Sequence, residues 1–191
     1  YPIKTMFELD KTDLIMDGDK FKNRLEILGI QPSLINKHLH DLETLQLLPL
    51  YQNTKNVELI ARIFGFMMSD GSCGIYTHGP QIQLTFGSKI DSEEFMDDME
   101  KLGYSKNKVL ETWSEVQGVV HHSYQVIYNN SIATLMISLG MTLGKKTEKS
   151  SNCVPGWLMN GSKLVQREFL SGFQGGNGSK IRYNDLHGRK S

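Results

Sequence analysis

The sequence predicts an α+β fold in which helices cover one face of an antiparallel sheet. Three observations carry this. Over residues 57–141, segments of helical period alternate with shorter segments of period two, in the order α-β-β-α-β-β-α. The strand segments come in pairs separated by glycine-bearing turns, as antiparallel neighbours are. A later helix then restates part of the first: Gly65, Phe66, Gly71 and Ser72 meet Gly172, Phe173, Gly178 and Ser179 at a constant offset of 107 residues. Such a repeat predicts two similar units facing each other.

Residues 1–56 read as a helical N-terminal or linking segment. "FKNRLEILGIQPSLINKHLHDLETLQLLPLYQ" has helical periodicity on both sides of "GIQP". Gly29 and Pro32 mark the turn, and Ser33 can cap the second helix. Helix-turn-helix is a tempting label, but the segment is acid-rich, so a structural role is expected. Residues 57–161 form the first αββαββα unit. "VELIARIFGFMMS" (57–69) is a helix. "CGIYTH" and "QIQLTF" are strands joined by a turn around Gly79-Pro80. "DSEEFMDDMEKLG" is a helix with Asp91 as cap. "NKVLETWSEV" and "VVHHSYQVIY" are strands joined at Gln117-Gly118, and "NSIATLMISLGM" is a helix from near Ser131 to near Gly140. Residues 162–191 supply the repeat's helix and the start of a second unit, whose remainder is expected to be absent.

Composition narrows the function classes. The hydrophobic fraction, 39%, suffices for a core. No apolar stretch nears the ~18 residues of a membrane span, and "YPIKTMFELDKTD" has no signal-peptide core. Cys73 and Cys153 lack metal-ligand spacing and read as free thiols of an intracellular, reducing compartment. Net charge is zero, but its distribution is uneven. Residues 1–102 hold 10 basic and 16 acidic side chains, whereas residues 144–191 hold 9 and 3. A polyanion would be met mainly through the C-terminal part. His121 and His122 are adjacent on a strand and so face opposite sides, a poor arrangement for zinc; His78 likewise reads as surface or core. The methionines of "FGFMM" read as core filler.

The first helix ends oddly, in "IFGFMMSDGS". A helix C-terminus disfavours an anion by roughly 0.3–1 kcal/mol, yet Asp70 stands there. Asp-Gly can serve simply to stop the helix. The small residues suggest more. Ala61, Gly65 and Ser69 form a stripe at every fourth position, and Gly172 and Gly176 form another. Such stripes let two helix backbones approach closely. Crossing there would set Asp70 beside Asn177. A carboxylate so placed has a use if it holds a hard divalent cation such as Mg²⁺, which can activate water and stabilise the leaving oxygen of a phosphodiester.

"LIARIFGFMMSDGS" and "REFLSGFQGGNGS" resemble the two LAGLIDADG (dodecapeptide) motifs of homing endonucleases. "KKTEKSSNCVPGWLMNGSKLVQREFLSGF" is similar to the entry into the second motif in intein-borne members. The resemblance covers about residues 57–184. It implies a sequence-specific DNA endonuclease making metal-dependent double-strand cuts, a monomer with pseudo-two-fold halves. The motif helices would pack at the interface and the antiparallel sheets would form a saddle on double-stranded DNA. By position, Asp70 is the first metal-binding acid, and the backbone carbonyls of Ser69 and Gly176 are further ligands. Mn²⁺ or Ca²⁺ could replace Mg²⁺. A catalytic lysine is expected among Lys145, Lys146 and Lys149, each of which reads equally well as a phosphate contact. Asn177 departs from the motif, which calls for an acid. An amide there lowers metal affinity and water activation, so the chain is expected to be crippled, by decay or by a deliberate Asp→Asn change. With no N-terminal Cys or Ser and no terminal His-Asn pair, self-splicing is not expected.

Strand alternation supplies the DNA readout. Gln81, Gln83 and Thr85 share one face of "QIQLTF", opposite Ile82, Leu84 and Phe86. His121, Ser123 and Gln125 share one face of "VVHHSYQVIY". Gln pairs bidentately with adenine and Thr meets a thymine methyl; an ordinary solvated sheet face would show the same alternation. Lys180 and Arg182, with Arg189 and Lys190, read as phosphate partners or as a basic tail. A catalytically inactive DNA- or RNA-binding module on the same scaffold, a regulator or maturase, is the alternative. Asn177 favours it and Asp70 opposes it.

Overall fold

The computed structural model describes residues 13–116, 118–144 and 153–177, with Val116, Gly176 and Asn177 described at the backbone alone. An N-terminal module comes first. Strand β1 (Leu14–Met16) leads into helix α1 (Gly18–Ile27), capped by Asp17, whose side chain accepts from the Lys20 N–H. Gly29, at φ +76°, turns the chain into helix α2 (Pro32–Thr44). The cap of α2 is Gln31 and not Ser33, because Pro32 takes the first helical position, where its fixed φ fits and its missing N–H costs nothing. Strand β2 (Leu50–Tyr51) pairs antiparallel with β1, a small ribbon that the sequence reading did not foresee.

Helix α3 spans Val57–Ser69, the bounds the sequence predicts. Strands β3 (Ser72–Tyr76) and β4 (Gly79–Phe86) follow. The turn between them lies at Thr77-His78, not at Gly79-Pro80. Gly79, at φ +106°, already pairs with Tyr76, and Pro80 pairs with Ile75. A proline so close to the strand start is tolerated because few ladder bonds are lost. Helix α4 (Lys89–Lys101) begins three residues earlier than "DSEEF" suggests, with Ser88 as cap and Asp91 inside the first turn. An acid in that turn is favoured by the helix dipole whether or not it caps. Strands β5 (Leu110–Val116) and β6 (Val119–Tyr128) form a hairpin through Gly118 at φ +76°.

The four strands form one antiparallel sheet in the order β3-β4-β6-β5. Helix α5 (Ser131–Ser138), capped by Asn130, is buried at every position. Such a helix has to lie at the centre, and α1, α2 and β4 pack on it. Ile82, Leu84, Phe86, Val126 and Tyr128 cover the buried face of the sheet. A short helix α6 (Gly156–Met159), also unforeseen, ties the modules together. Its Trp157 donates from Nε1 to the Leu139 carbonyl at 3.1 Å, and Gln52 Nε2 donates to the Trp157 carbonyl at 2.9 Å. The last described helix, α7 (Lys163–Asn177), runs alongside α3. This is the αββαββα order of the first unit, with the two motif helices packed together.

Candidate active site and nucleic-acid interface

The α3–α7 contact is built on glycine. An ideal Cβ on Gly65 would lie 2.2 Å from the Phe169 carbonyl oxygen and 2.7 Å from the Phe173 nitrogen. An ideal Cβ on Gly172 would lie 2.0 Å from the Arg62 oxygen and 3.1 Å from the Phe66 nitrogen. These two sets are the same contacts exchanged: Phe169 is 107 residues beyond Arg62, and Phe173 is 107 beyond Phe66. The sequence repeat is therefore a two-fold packing relation; the two helices run in the same direction, because Arg62 meets Glu168 on the N-terminal side of the crossing and Phe66 meets Gly175 on its C-terminal side. Both C-termini lie at one end. Asp70 caps α3 there, and Asn177 is the last residue of α7.

The stretch around Asp70 is held by a buried turn. The Phe66 carbonyl accepts from Asp70 N at 3.1 Å, Gly71 N at 3.2 Å and Ser69 Oγ at 2.9 Å. Gly71 presses on Met67 so closely that a Cβ would lie 2.7 Å from its Cα and Sδ. The glycine of "SDG" thus turns the chain straight into β3 and leaves Asp70 exposed at the rim. Among the described residues, no ion pair or side-chain hydrogen bond engages its carboxylate. Among those residues, none offsets a negative charge at this helix end, which disfavours one.

Sequence reasoning missed the polar lock between the helices. Arg62 donates from Nε and Nη2 to Glu168 Oε2, at 2.8 and 2.6 Å, and from Nη1 to Asp98 Oδ2 at 3.0 Å. Lys101 also binds Asp98 at 2.7 Å, and Arg167 binds Glu168 Oε1 at 3.0 Å. Burial works to raise the Glu168 carboxyl, but the hydrogen bonds and charge of Arg62 and Arg167 prevail and hold it below the usual glutamate range. No periodicity in the sequence marks these residues, since their partners lie on three different helices.

The open sheet face takes shape from the register. Gln81, Gln83 and Thr85 alternate with buried Pro80, Ile82, Leu84 and Phe86, as the sequence reading expects. Thr85 lies opposite Gln125, which in turn lies opposite Leu110; Ser123 is opposite Thr112, and His121 opposite Ser114. Gln83 faces Ser72 on one side and Ile127 on the other. All six named strand residues therefore share one face, joined by Thr112 and Ser114, which the sequence reading did not name. Thr112 and Ser123 are bound to each other, Oγ1 to Oγ at 2.8 Å. Tyr76 also lies on this face, its ring covering Gly74, where a Cβ would meet the ring at 2.7 Å. The opposite side is different. Asp91, Glu94, Asp97 and Asp98 line a groove between α3, α4 and α7 together with Arg62 and Lys101, so acids outnumber bases there.

Other candidates fall as follows. His122 points away from the open face and stacks on Trp113 at 3.8 Å, so the two adjacent histidines do face opposite sides. Among the described residues, no group of three His, Cys, Asp or Glu side chains could hold a metal ion. Burial pushes the Cys73 thiol up to about 12, and Cys153 is exposed; both are free. Lys145, Lys146, Lys149, Lys180 and Arg182 lie outside the described residues. Gly144, however, donates its N–H to the Cys73 carbonyl at 2.9 Å, so the lysine-bearing segment starts from the strand that leaves Asp70. Among the described residues, no helix is long and apolar enough to cross a membrane.

Comparison with known proteins gives a consistent pattern. Over 189 residues, 96% of its length, the chain is 31% identical to a segment of the tRNA-splicing ligase RtcB of Pyrococcus abyssi that makes up 19% of that protein. Over 180 residues, 89% of its length, it is 27% identical to 13% of the DNA-directed RNA polymerase subunit Rpo1N of Methanocaldococcus jannaschii. Over 141 residues, 69% of its length, it is 30% identical to 7% of the replication factor C small subunit of the same organism. The chain thus spans less than a fifth of the length of these relatives. No family model matches it, and no solved structure matches it significantly. A segment that recurs inside such unrelated archaeal proteins is consistent with an inserted, intein-associated element.

Proposed function

We propose that this chain is the DNA-cleaving part of such an inserted element: a site-specific, divalent-metal-dependent endonuclease of the LAGLIDADG kind. One observation carries the reading. Two glycine-lined parallel helices, related by reciprocal contacts, run toward the end where Asp70 stands unpaired among the described residues, beside a polar sheet face without Lys, Arg, Asp or Glu. A carboxylate at a helix C-terminus opposes the helix dipole and suits a cation. The donor types fit a hard divalent ion, with a carboxylate at Asp70 and backbone carbonyls at Ser69 and Gly176. Mg²⁺ bound there would polarise a phosphodiester and lower the pKa of a water. The chain's own residues bind and orient the duplex. Gln81, Gln83, Thr85, His121, Ser123 and Gln125 contact base edges, and Lys145, Lys180 and Arg182 take phosphates. Lys146 or Lys149 takes part at the reacting centre.

Asn177 offers one carbonyl oxygen and no charge where a second carboxylate would complete the set, so cleavage is expected to be slow. It also favours a second reading, a binding module on this scaffold that does not hydrolyse. A cleavage gel with Mg²⁺, on duplexes enriched by the protein from a random pool, tests both. Asn177→Asp is expected to cut at least tenfold faster than the parent chain, and Asp70→Asn not to cut. Equal cutting by the parent and Asn177→Asp would remove position 177 from the metal site. Tight binding with no cutting by any of the three would leave the binding module.

A further inference from the structure

Resting on the reading of the open sheet face as a DNA interface, we infer that the half-site it reads is rich in A·T pairs. The chemistry of the face carries this. Along the ladder it presents Ser72, Tyr76, Gln81, Gln83 and Thr85 from β3 and β4. From β5 and β6 it presents Leu110, Thr112, Ser114, His121, Ser123, Gln125 and Ile127. Among these described positions there is no arginine, lysine, aspartate or glutamate. That composition is selective in the major groove. Guanine is read chiefly by Arg or Lys, bidentate to O6 and N7, and cytosine by an acid accepting from N4. Neither reader stands on this face of the ladder: Glu111 and Glu115 of β5 alternate onto the other face. Adenine is read by Gln or Asn, and the thymine methyl by apolar contact.

The placement also supplies both readers side by side. Gln125 lies opposite Thr85, and Gln83 opposite Ile127, so each of these amides has a methyl-bearing neighbour across the ladder. An A·T pair shows an N6/N7 edge and a methyl side by side, which is the pattern these pairs offer to meet. Gln81, beside Gly74 and the Tyr76 ring, adds a third amide with an apolar neighbour. His121 sits at the outer end of the hairpin, opposite Ser114. Lys108 precedes β5 and lies outside the ladder.

Selection of duplexes from a random pool by the full chain, followed by sequencing, tests this. The expected result is a run of A·T pairs in one half of the enriched site. Replacing one such pair by G·C should weaken binding by about 5- to 150-fold. Gln83→Arg, at a half-exposed position with room on the open face, should turn one A·T preference into G·C and leave the flanking positions unchanged. An enriched site whose contacted half is G·C-rich would overturn the inference and keep the DNA reading. The same holds for a Gln83→Arg site identical to that of the parent. Failure to enrich any duplex, by a chain shown to be folded by its thermal transition, would overturn both.

Discussion

Gly65 and Gly172 each stand where a methyl group would overlap a backbone carbonyl. Neither carbonyl can rotate away, so the helices would have to separate. Gly65→Ala is therefore expected to cost about 3 kcal/mol or more, the upper range of overpacking. Gly87→Ala is the matched control, because a Cβ there meets nothing within 4 Å and the change should stay within about 0.5 kcal/mol. Urea midpoints of the two variants check the contrast; equal effects would mean that the helices do not touch at position 65. At this scale the sequence was informative where an atom is missing. The four-residue glycine stripes and the Asp-Gly ending were both legible, because a glycine in a helix interior costs about 0.5–1 kcal/mol and needs a reason. The partners of Arg62 were not legible, because nothing local distinguishes a salt-bridged arginine from a solvated one.

Helices α3 and α7 are joined by packing and by the bond between Arg62 and Glu168. Removing one partner leaves a charge in a half-buried place, so Glu168→Gln is expected to cost about 1–3 kcal/mol at neutral pH. The pH dependence has a definite sign. Glu168 has a folded pKa below its ordinary value, so its stabilisation is present above the ordinary glutamate range and is lost as pH falls through the folded value. The gap in urea midpoint between the parent and Glu168→Gln should therefore close as the solution is acidified below pH 4. A gap that is constant with pH would show that the pair does not couple to folding. For the sheet, alternation told the two faces apart correctly because one face is buried. The turn was misplaced by two residues because Gly79 and Pro80 are turn-forming types used here inside a strand. Tertiary pairing with β3 outweighed their local preference.

The whole molecule adds an N-terminal module to the αββαββα unit, and α5 is their common core. Residues 21–52 were legible as two helices, but not as partners of α5, because docking depends on residues far apart in the chain. His38 of α2 is buried, and burial lowers its pKa more than Asp41, 3.7 Å away, raises it. Lys37 adds to the lowering. A histidine depressed in the folded state contributes stability above its ordinary value of 6.5, lost as pH falls toward the folded value. His38→Leu should therefore abolish the part of the destabilisation that develops as pH falls below 6.5, read as a melting-temperature profile; an unchanged profile would locate that loss elsewhere. The end of the helix pair should hold a metal ion between residues 70 and 177. This is tested most directly by loading the Asn177→Asp chain, bound to its enriched duplex, with Fe²⁺. Added hydrogen peroxide, with ascorbate to return Fe³⁺ to Fe²⁺, is then split at the ion into hydroxide and a hydroxyl radical that cuts the nearby backbone. The account expects scission near residues 70 and 177 together, and none in an Asp70→Asn chain. Scission at only one of the two, or a pattern unchanged by Asp70→Asn, would contradict it.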